Sequence, residues 1–224
     1  QRVLEIGCGS GLLLSQLAPN CELYWGADYS HQAIAQVTRF KATQTGLDHL
    51  VLVQRMADDF TDIAENQFDG VVLNSVVQYF PNVDYLLRVL TGAVRAVASG
   101  GKIYVGDVRN ARLLTMYHTM VQTYQASDEL SLQELDTLIR QRVLDEEELL
   151  VDPAFFYALP EHLPGIRAVE VQLKRGQYAN ELSQFRYQVV LHIDKTEQQP
   201  TVKPTIVWQE TSWHQNWELN TLTD

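Results

Sequence analysis

The stretch Arg2–Leu14, RVLEIGCGSGLLL, decides how the rest of the chain is read. An apolar run carries one acid, Glu5, and glycines then occupy every second position at Gly7, Gly9 and Gly11. Glycine reaches backbone angles closed to other residues, so the chain can turn sharply there and lie against a ligand. A helix begins directly afterwards and aims its free N–H groups back at that ligand. The spacing is not that of a dinucleotide fingerprint: in G-x-G-x-x-G the third glycine would fall on Leu12 or Leu14. A carboxylate ahead of the loop suits a ligand with a cationic end, whereas a pyrophosphate would be repelled.

Composition bounds what the loop can serve. At 224 residues the chain is long enough for one α/β domain with an insertion and too short for two large domains. It is 46% hydrophobic and holds no run resembling a membrane span or signal peptide, which predicts a soluble, cytoplasmic chain with no membrane partner. A formal net charge of −11 disfavours nucleic acid as a partner. Two cysteines, Cys8 and Cys21, are too few and too ill-spaced for a metal site or a disulfide framework, and no metal is expected. The chain begins at Gln1, already inside a strand pattern, and reads as a piece of something longer.

Outward from the loop, strands and helices alternate. RVLEIGC reads as a first buried strand, CELYWGAD as a second closing on Asp28, LVLVQRMA as a third, FDGVVLNS as a fourth and KIYVGDV as a fifth. Between them lie helical stripes: one has Ser30 as N-cap and Gly46 as stop, and another, VDYLLRVLTGAVRAVASGG, is ended by Gly100 and Gly101. This alternation predicts an α/β, Rossmann-like fold with a mostly parallel sheet covered on both faces. From residue 110 to 165 the patterns are helical with no strand between them. AVEVQLKRG and FRYQVVLHID then read as an antiparallel hairpin that completes a seven-stranded sheet. The organisation is therefore a ligand-binding core at 1–109, a helical lid insertion at 110–165 and a C-terminal β-hairpin at 166–194. A linker and tail at 195–224 carry Trp208, Trp213 and Trp217, the last two of which read as packing residues. The acid run Asp145–Glu148 reads as a solvated first helical turn. The DPAFF segment, with Phe155 and Phe156, is expected to supply apolar contacts beneath the lid. His31 and His118 read as surface helix residues, and His192 as a strand residue.

In open α/β sheets ligands sit at the carboxyl ends of the strands. Asp28, ending strand two, is placed to accept both hydroxyls of a ribose, and Asp58 in ADDF to accept an adenine amino group. Loop, preceding acid and strand-end acids together fit S-adenosylmethionine, which has a sulfonium, an α-ammonium and no phosphate. Its demethylated product is S-adenosylhomocysteine.

VLEIGCGSG, GAD and ADDF resemble the class I S-adenosylmethionine-dependent methyltransferases. NSVVQYFP, GDVR, ELLVDPAFFYAL, NELSQFRYQVVLHI and IVWQ resemble, more narrowly, the methyltransferase domains of nonribosomal peptide synthetases. The resemblance implies N-methylation of the α-amine of an aminoacyl group held as a thioester on a carrier protein, beside neighbouring synthetase domains. The cofactor would then be held by Glu5, Gly7, Cys8, Gly9, Gly11, Asp28, Tyr29, Ala57, Asp58, Asp59, Asn74 and Ser75. Cys8 reads equally as a small filler.

Methyl transfer from a sulfonium is an in-line displacement that needs a lone pair, alignment and exclusion of water. Asn74, Gln78 and Tyr79 follow strand four and offer acceptors for an amine. Asp107 could take a proton or orient the amine, and Arg109 could grip the thioester carbonyl or pair with Asp107. Glu181 is the remaining carboxylate expected at the mouth. Each has a structural counterpart: Asn74 and Ser75 as strand-end caps, Tyr79 as a core aromatic, Asp107–Arg109 as a salt bridge. Two rival functions remain at this stage, a methyltransferase acting on nitrogen, oxygen or carbon of a free small molecule, and a non-catalytic cofactor-binding scaffold.

Overall fold

The structure, a computed structural model, describes residues 1–176, 178 and 180–196. Trp208, Trp213 and Trp217 lie outside the described residues. The chain runs β1 (Arg2–Ile6), α1 (Leu12–Leu17), β2 (Leu23–Asp28), α2 (His31–Thr43), β3 (Leu50–Gln54), β4 (Phe68–Asn74), α3 (Val83–Ala96) and β5 (Val97–Arg109). Then follow α4 (Leu114–Gln125), α5 (Leu132–Leu144), α6 (Pro153–His162), β6 (Ile166–Leu173), the short α7 (Glu181–Gln184) and β7 (Arg186–Ile193). The seven strands form one sheet in the order β3-β2-β1-β4-β5-β7-β6. Pairings from β3 to β5 are parallel, and β7 runs antiparallel to both β5 and β6.

This order fixes where a ligand can sit. The chain winds one way from β1 to β3 and the other way from β4 onward, so the connections leaving β1 and β4 part company above the sheet. A crevice opens at that switch point, outside the carboxyl ends of both strands. The glycine loop leaves β1 there and residues 75–81 leave β4 beside it.

Local chemistry supports each element. Ser30 caps α2 by accepting from the Ala33 N–H at 3.3 Å, and Asn82 caps α3 by accepting from Tyr85 at 2.9 Å. Leu86, Val89, Leu90 and Ala93 of α3 recur at helical spacing and are fully buried against the sheet. Cys8, Leu14, Tyr24 and Val37 form the separate cluster on the other face.

Three expectations are corrected. Helix α3 stops at Ala96 rather than at the glycine pair, because Val97 already pairs with Phe68; the ladder then slips before Gly70 meets Lys102. The acids Asp145–Glu148 do not open a helix but follow the end of α5, with Asp145 as its C-cap. Asp145 and Glu147 stay exposed, while Glu146 and, in part, Glu148 leave solvent for a buried arginine described below. Phe156 is fully buried, edge-on to Tyr187 at 6.1 Å with Phe155 packed beside it, and is core rather than lid lining. Between 110 and 165 the elements are indeed helical, apart from a single bridge of Asn110 to Val151. No helix among the described residues is long and apolar enough to cross a membrane.

Candidate active site

A cleft of about 550 Å³ lies at the switch point, within the range of small-molecule pockets. One wall is the glycine loop. Gly7 and Gly11 have φ of +79° and +83°, and a Cβ on Gly7 would stand 2.4 Å from Val76. Only glycine lets the two connections approach so closely. Gly9 lines the cleft, and a Cβ built on it would meet nothing within 4 Å, so its backbone is open to whatever enters.

Asp28 lines the same wall. Its two carboxylate oxygens accept from the Gly9 N–H at 2.9 Å and the Ser30 N–H at 2.8 Å. A carboxylate has about four lone-pair directions, so one acceptor site on each oxygen remains after these amides are served. The amides hold the group still, and Tyr29 and Ala57 stand beside it on the cleft wall. This donor and acceptor set fits S-adenosylmethionine: a paired acceptor for vicinal hydroxyls, bare backbone at the loop, and no cationic group built to hold a phosphate on the loop itself.

Other residues expected at the cofactor lie differently. Glu5 is buried and does not line the cleft; the Tyr24 hydroxyl donates to it at 2.8 Å. Burial pushes its pKa up to about 7, the Tyr24 bond opposes this, and the Asp28 charge adds to the rise. It therefore acts from behind the loop. Cys8 is buried in the apolar cluster, its thiol pushed up to about 12 by burial, and serves as filler. Asp58 turns to Arg88 at 3.2 Å and lines a neighbouring cleft instead. It meets the cofactor cleft only through a hydrogen bond with Tyr85, which does line it. Asp59 accepts from the Thr61 N–H at 2.9 Å and faces away.

The opposite wall comes from the residues that follow β4, and Asp107 of β5 reaches it only through Ser75, without lining the cleft. Ser75 and Asp107 both have left-handed backbones, φ +57° and +62°, a conformation that non-glycine residues seldom adopt. This aims the Ser75 hydroxyl at Asp107, to which it donates at 2.6 Å, while Ser75 itself lines the cleft. Lys174, just past β6, donates to the other Asp107 oxygen. Burial alone would raise the Asp107 pKa, but the bonds from Lys174 and Ser75 and the charges of Lys174 and Arg186 outweigh it, so the group lies below the ordinary aspartate value. A carboxylate so stabilised is a poor proton acceptor and a good orienting group. Tyr79 is exposed on the cleft wall, not core. Asn74 donates to the Ser75 hydroxyl at 3.2 Å, and buried Gln78 donates to the Ser75 carbonyl at 3.1 Å. Both buttress Ser75, and neither lines the cleft.

Arg109 is a correction. It neither pairs with Asp107 nor faces the cleft. Its guanidinium takes Glu146 bidentately at 2.7 and 2.9 Å and Glu148 at 2.9 Å, and lies 5.4 Å from the Tyr117 ring centroid. His118, expected on the surface, packs here with its Nε2 3.3 Å from Glu146. The cluster pins the helical insertion to the end of β5, reinforced by Leu149 donating to the Gln78 carbonyl and Val151 to that of Arg109. Glu181 likewise stands away from the cleft, bonded to Arg186 at 2.6 Å and lining a small crevice next to Arg109. Arg55, Met56 and Tyr85 line the cleft without having been singled out in the sequence, and Lys174 reaches Asp107 from outside it; their patterns, QRMA, VDYLL and LKRG, carry no chemical signature.

Residues 4–105 match a family model described as a methyltransferase domain. The chain is 48% identical over 206 residues to the chondramide synthase of Chondromyces crocatus, covering 92% of this chain and 5% of that protein. It is 35% identical over 194 residues to a nonribosomal peptide synthetase of Alternaria alternata, covering 86% of this chain and 4% of that protein. The chain thus spans a small part of these relatives. Among solved structures, the N-methyltransferase NodS of Bradyrhizobium japonicum in complex with S-adenosyl-L-homocysteine aligns with a TM-score of 0.51 at 18% identity, over 85% of this chain and 76% of that one, a likeness of fold.

Proposed function

This chain carries a class I S-adenosylmethionine-dependent methyltransferase domain, and on that premise we propose that it methylates the α-amine of an aminoacyl thioester held on a carrier protein. The setting in this reading is a nonribosomal peptide synthetase in the cytoplasm, with the carrier and adjoining synthetase domains as partners. One observation carries it: a single cleft has Asp28 and the glycine loop on one wall and Ser75 with Tyr79 on the other, the Ser75 hydroxyl being bonded to Asp107, which does not itself line the cleft. The likeness to synthetases over most of the chain supports the carrier as source of the acceptor.

When bound, S-adenosylmethionine supplies an electrophilic methyl on a sulfonium. Asp28 and the loop amides hold the nucleoside end. Tyr79 presents its hydroxyl to the acceptor's N–H, and Asp107 orients the amine through the Ser75 hydroxyl that it fixes on the cleft wall. An ordinary α-amine has a pKa of ~7.7–8.0, so a useful fraction is neutral near pH 7 without a dedicated base. The new secondary ammonium releases its proton to water. The insertion from 110 to 165, anchored through Arg109, serves as the lid that excludes solvent.

The test supplies carrier proteins loaded with different aminoacyl groups, and the corresponding free amino acids, and follows S-adenosylhomocysteine release. Transfer to the loaded carrier alone is expected, and equal transfer to free amino acids would overturn the carrier assignment. Asp107→Asn and Tyr79→Phe should keep cofactor affinity and lower transfer by up to ~10²–10⁴-fold, with raised pH failing to restore Asp107→Asn. Recovery at high pH would instead make Asp107 the base.

A further inference from the structure

The sulfonium is the one charge that distinguishes S-adenosylmethionine from its spent product, and the cleft meets it without an anion. Strand order puts the nucleoside end over β2 and β3, where Asp28, Tyr29, Met56 and Ala57 line the cleft. The sulfonium then falls over β1 and β4, between the glycine loop and residues 75–81. Among the described residues Asp28 is the one carboxylate that lines the cleft, and it stands at the nucleoside end. Glu5 is buried behind the loop against Tyr24, and Asp107 lies off the cleft with its oxygens taken by Ser75 and Lys174. Arg55, the other charged residue on the cleft, has the wrong sign and is tied to the Asp59 and Thr61 carbonyls.

What the β4 side offers instead is an aromatic ring. Tyr79 lines the cleft with Ser75, is 72% exposed, and its side chain makes no ring contact or hydrogen bond among the described residues. The other rings on the cleft are engaged elsewhere. Phe80 and Tyr85 are buried edge-to-face at 4.9 Å with Arg88 over Tyr85 at 5.1 Å, and Tyr29 follows Asp28 at the nucleoside end. We infer that the Tyr79 ring reads the sulfonium and so separates S-adenosylmethionine from S-adenosylhomocysteine. The face of an aromatic ring carries partial negative charge and attracts a cation laid over it. The inference concerns the cofactor alone and holds whichever acceptor is methylated. In the transfer the acceptor's lone pair forms the bond to the methyl carbon, the S–C bond breaks, and its electron pair stays on sulfur. The positive charge passes to the acceptor, and the neutral thioether left behind loses its attraction to the ring. The ring thus favours the loaded cofactor over the spent one. Its hydroxyl, at the ring edge, stays available to the acceptor.

Calorimetry with S-adenosylmethionine and with S-adenosylhomocysteine, no acceptor being present, gives the ratio of the two affinities. Tyr79→Leu should shift that ratio against S-adenosylmethionine by about three-fold or more. Because the side chain is exposed, the substitution costs the fold little. Tyr79→Phe keeps the ring and should keep the ratio, which separates the ring from the hydroxyl. Tyr29→Leu, at the nucleoside end, should weaken both ligands alike. An unchanged ratio in Tyr79→Leu overturns the assignment, as does an equal shift in Tyr79→Phe or a shift in Tyr29→Leu. A second measurement needs no variant. Glu5 titrates at about 7, so if it were the reader the ratio would rise toward S-adenosylmethionine from one pH unit below that value to one above. The two ligands share their α-amine and carboxylate, whose own titration cancels in the ratio. A flat ratio is expected across that window, and a rise hands the role to Glu5. If neither ligand bound the unaltered chain, the cofactor reading itself would fall and this inference with it.

Discussion

Glu5→Gln isolates the acid that opens the glycine motif. The carboxyl is 3% exposed, receives one hydrogen bond, from Tyr24, and titrates at about 7 against an ordinary 4.5. Below pH 4.5 folded and unfolded chains both carry the proton and the acid has no pH-dependent effect. Between 4.5 and 7 the folded state keeps the proton and the unfolded state has lost it, so stability falls as pH rises. Above 7 both are ionised and the full burden remains. At about 1.4 kcal/mol per pH unit the window corresponds to about 3 kcal/mol. Glutamine keeps an acceptor for the Tyr24 hydroxyl and cannot ionise. Any fixed cost of burying its amide group is the same at every pH, so the difference between pH 4.5 and pH 8 reads the ionisation alone. Urea unfolding of both proteins without cofactor, at intervals across that range, should show the stability difference moving by about 3 kcal/mol in favour of Glu5→Gln. Parallel stability curves would refute the reasoning and return Glu5 to solvent or to an unseen cationic partner.

Asp28→Ala removes the acceptor pair and frees the Gly9 and Ser30 amides; with hydrogen bonds to a charged group worth ~1.5–3 kcal/mol each, calorimetry should show S-adenosylhomocysteine affinity reduced by at least ten-fold. Unchanged affinity would remove Asp28 from the cofactor site. Arg109→Met leaves Glu146 and Glu148 facing each other without their cation, a change that costs ~3–5 kcal/mol in buried networks, discounted here because Glu148 is 39% exposed. Denaturant unfolding should register at least about 2 kcal/mol, and a loss below 1 would mean that the arginine clasp does not seat the insertion.

The fold was legible because its signals are local. Alternating apolar runs, glycines at two-residue spacing, and caps such as Ser30 lie within a few residues of the structure they specify. Asp28 was legible for a related reason: the rule that ligands meet strand ends turns one short pattern into a position in space. Glu5 was only half legible. Its charge could be read against a cationic ligand, but whether it touches that ligand depends on Tyr24, nineteen residues away, whose hydroxyl holds it beneath the loop.

Arg109, Asp58 and Asp107 show where such reading stops. Each was singled out as an ionisable residue at a strand end, and each is assigned its task by a partner distant in sequence: 37 and 39 residues for Arg109, 30 for Asp58, 67 for Asp107. A charge leaving water takes whichever opposite charge the fold delivers, because burying it alone is far costlier than burying a pair. The acids after α5 were therefore bound to be misread. In sequence they are a solvated run; in space Glu146 and Glu148 supply the countercharge that lets Arg109 end a buried strand. The same logic separates the two strand-end carboxylates of the site. Asp28 is held by backbone amides and keeps acceptor sites free for a ligand, whereas Asp107 has one oxygen taken by the Ser75 hydroxyl and the other by the Lys174 ammonium. A carboxylate fixed by amides with lone pairs to spare is the one fitted to grip a ligand, whereas one whose oxygens are both taken by side chains is fitted to hold its neighbour Ser75 in place.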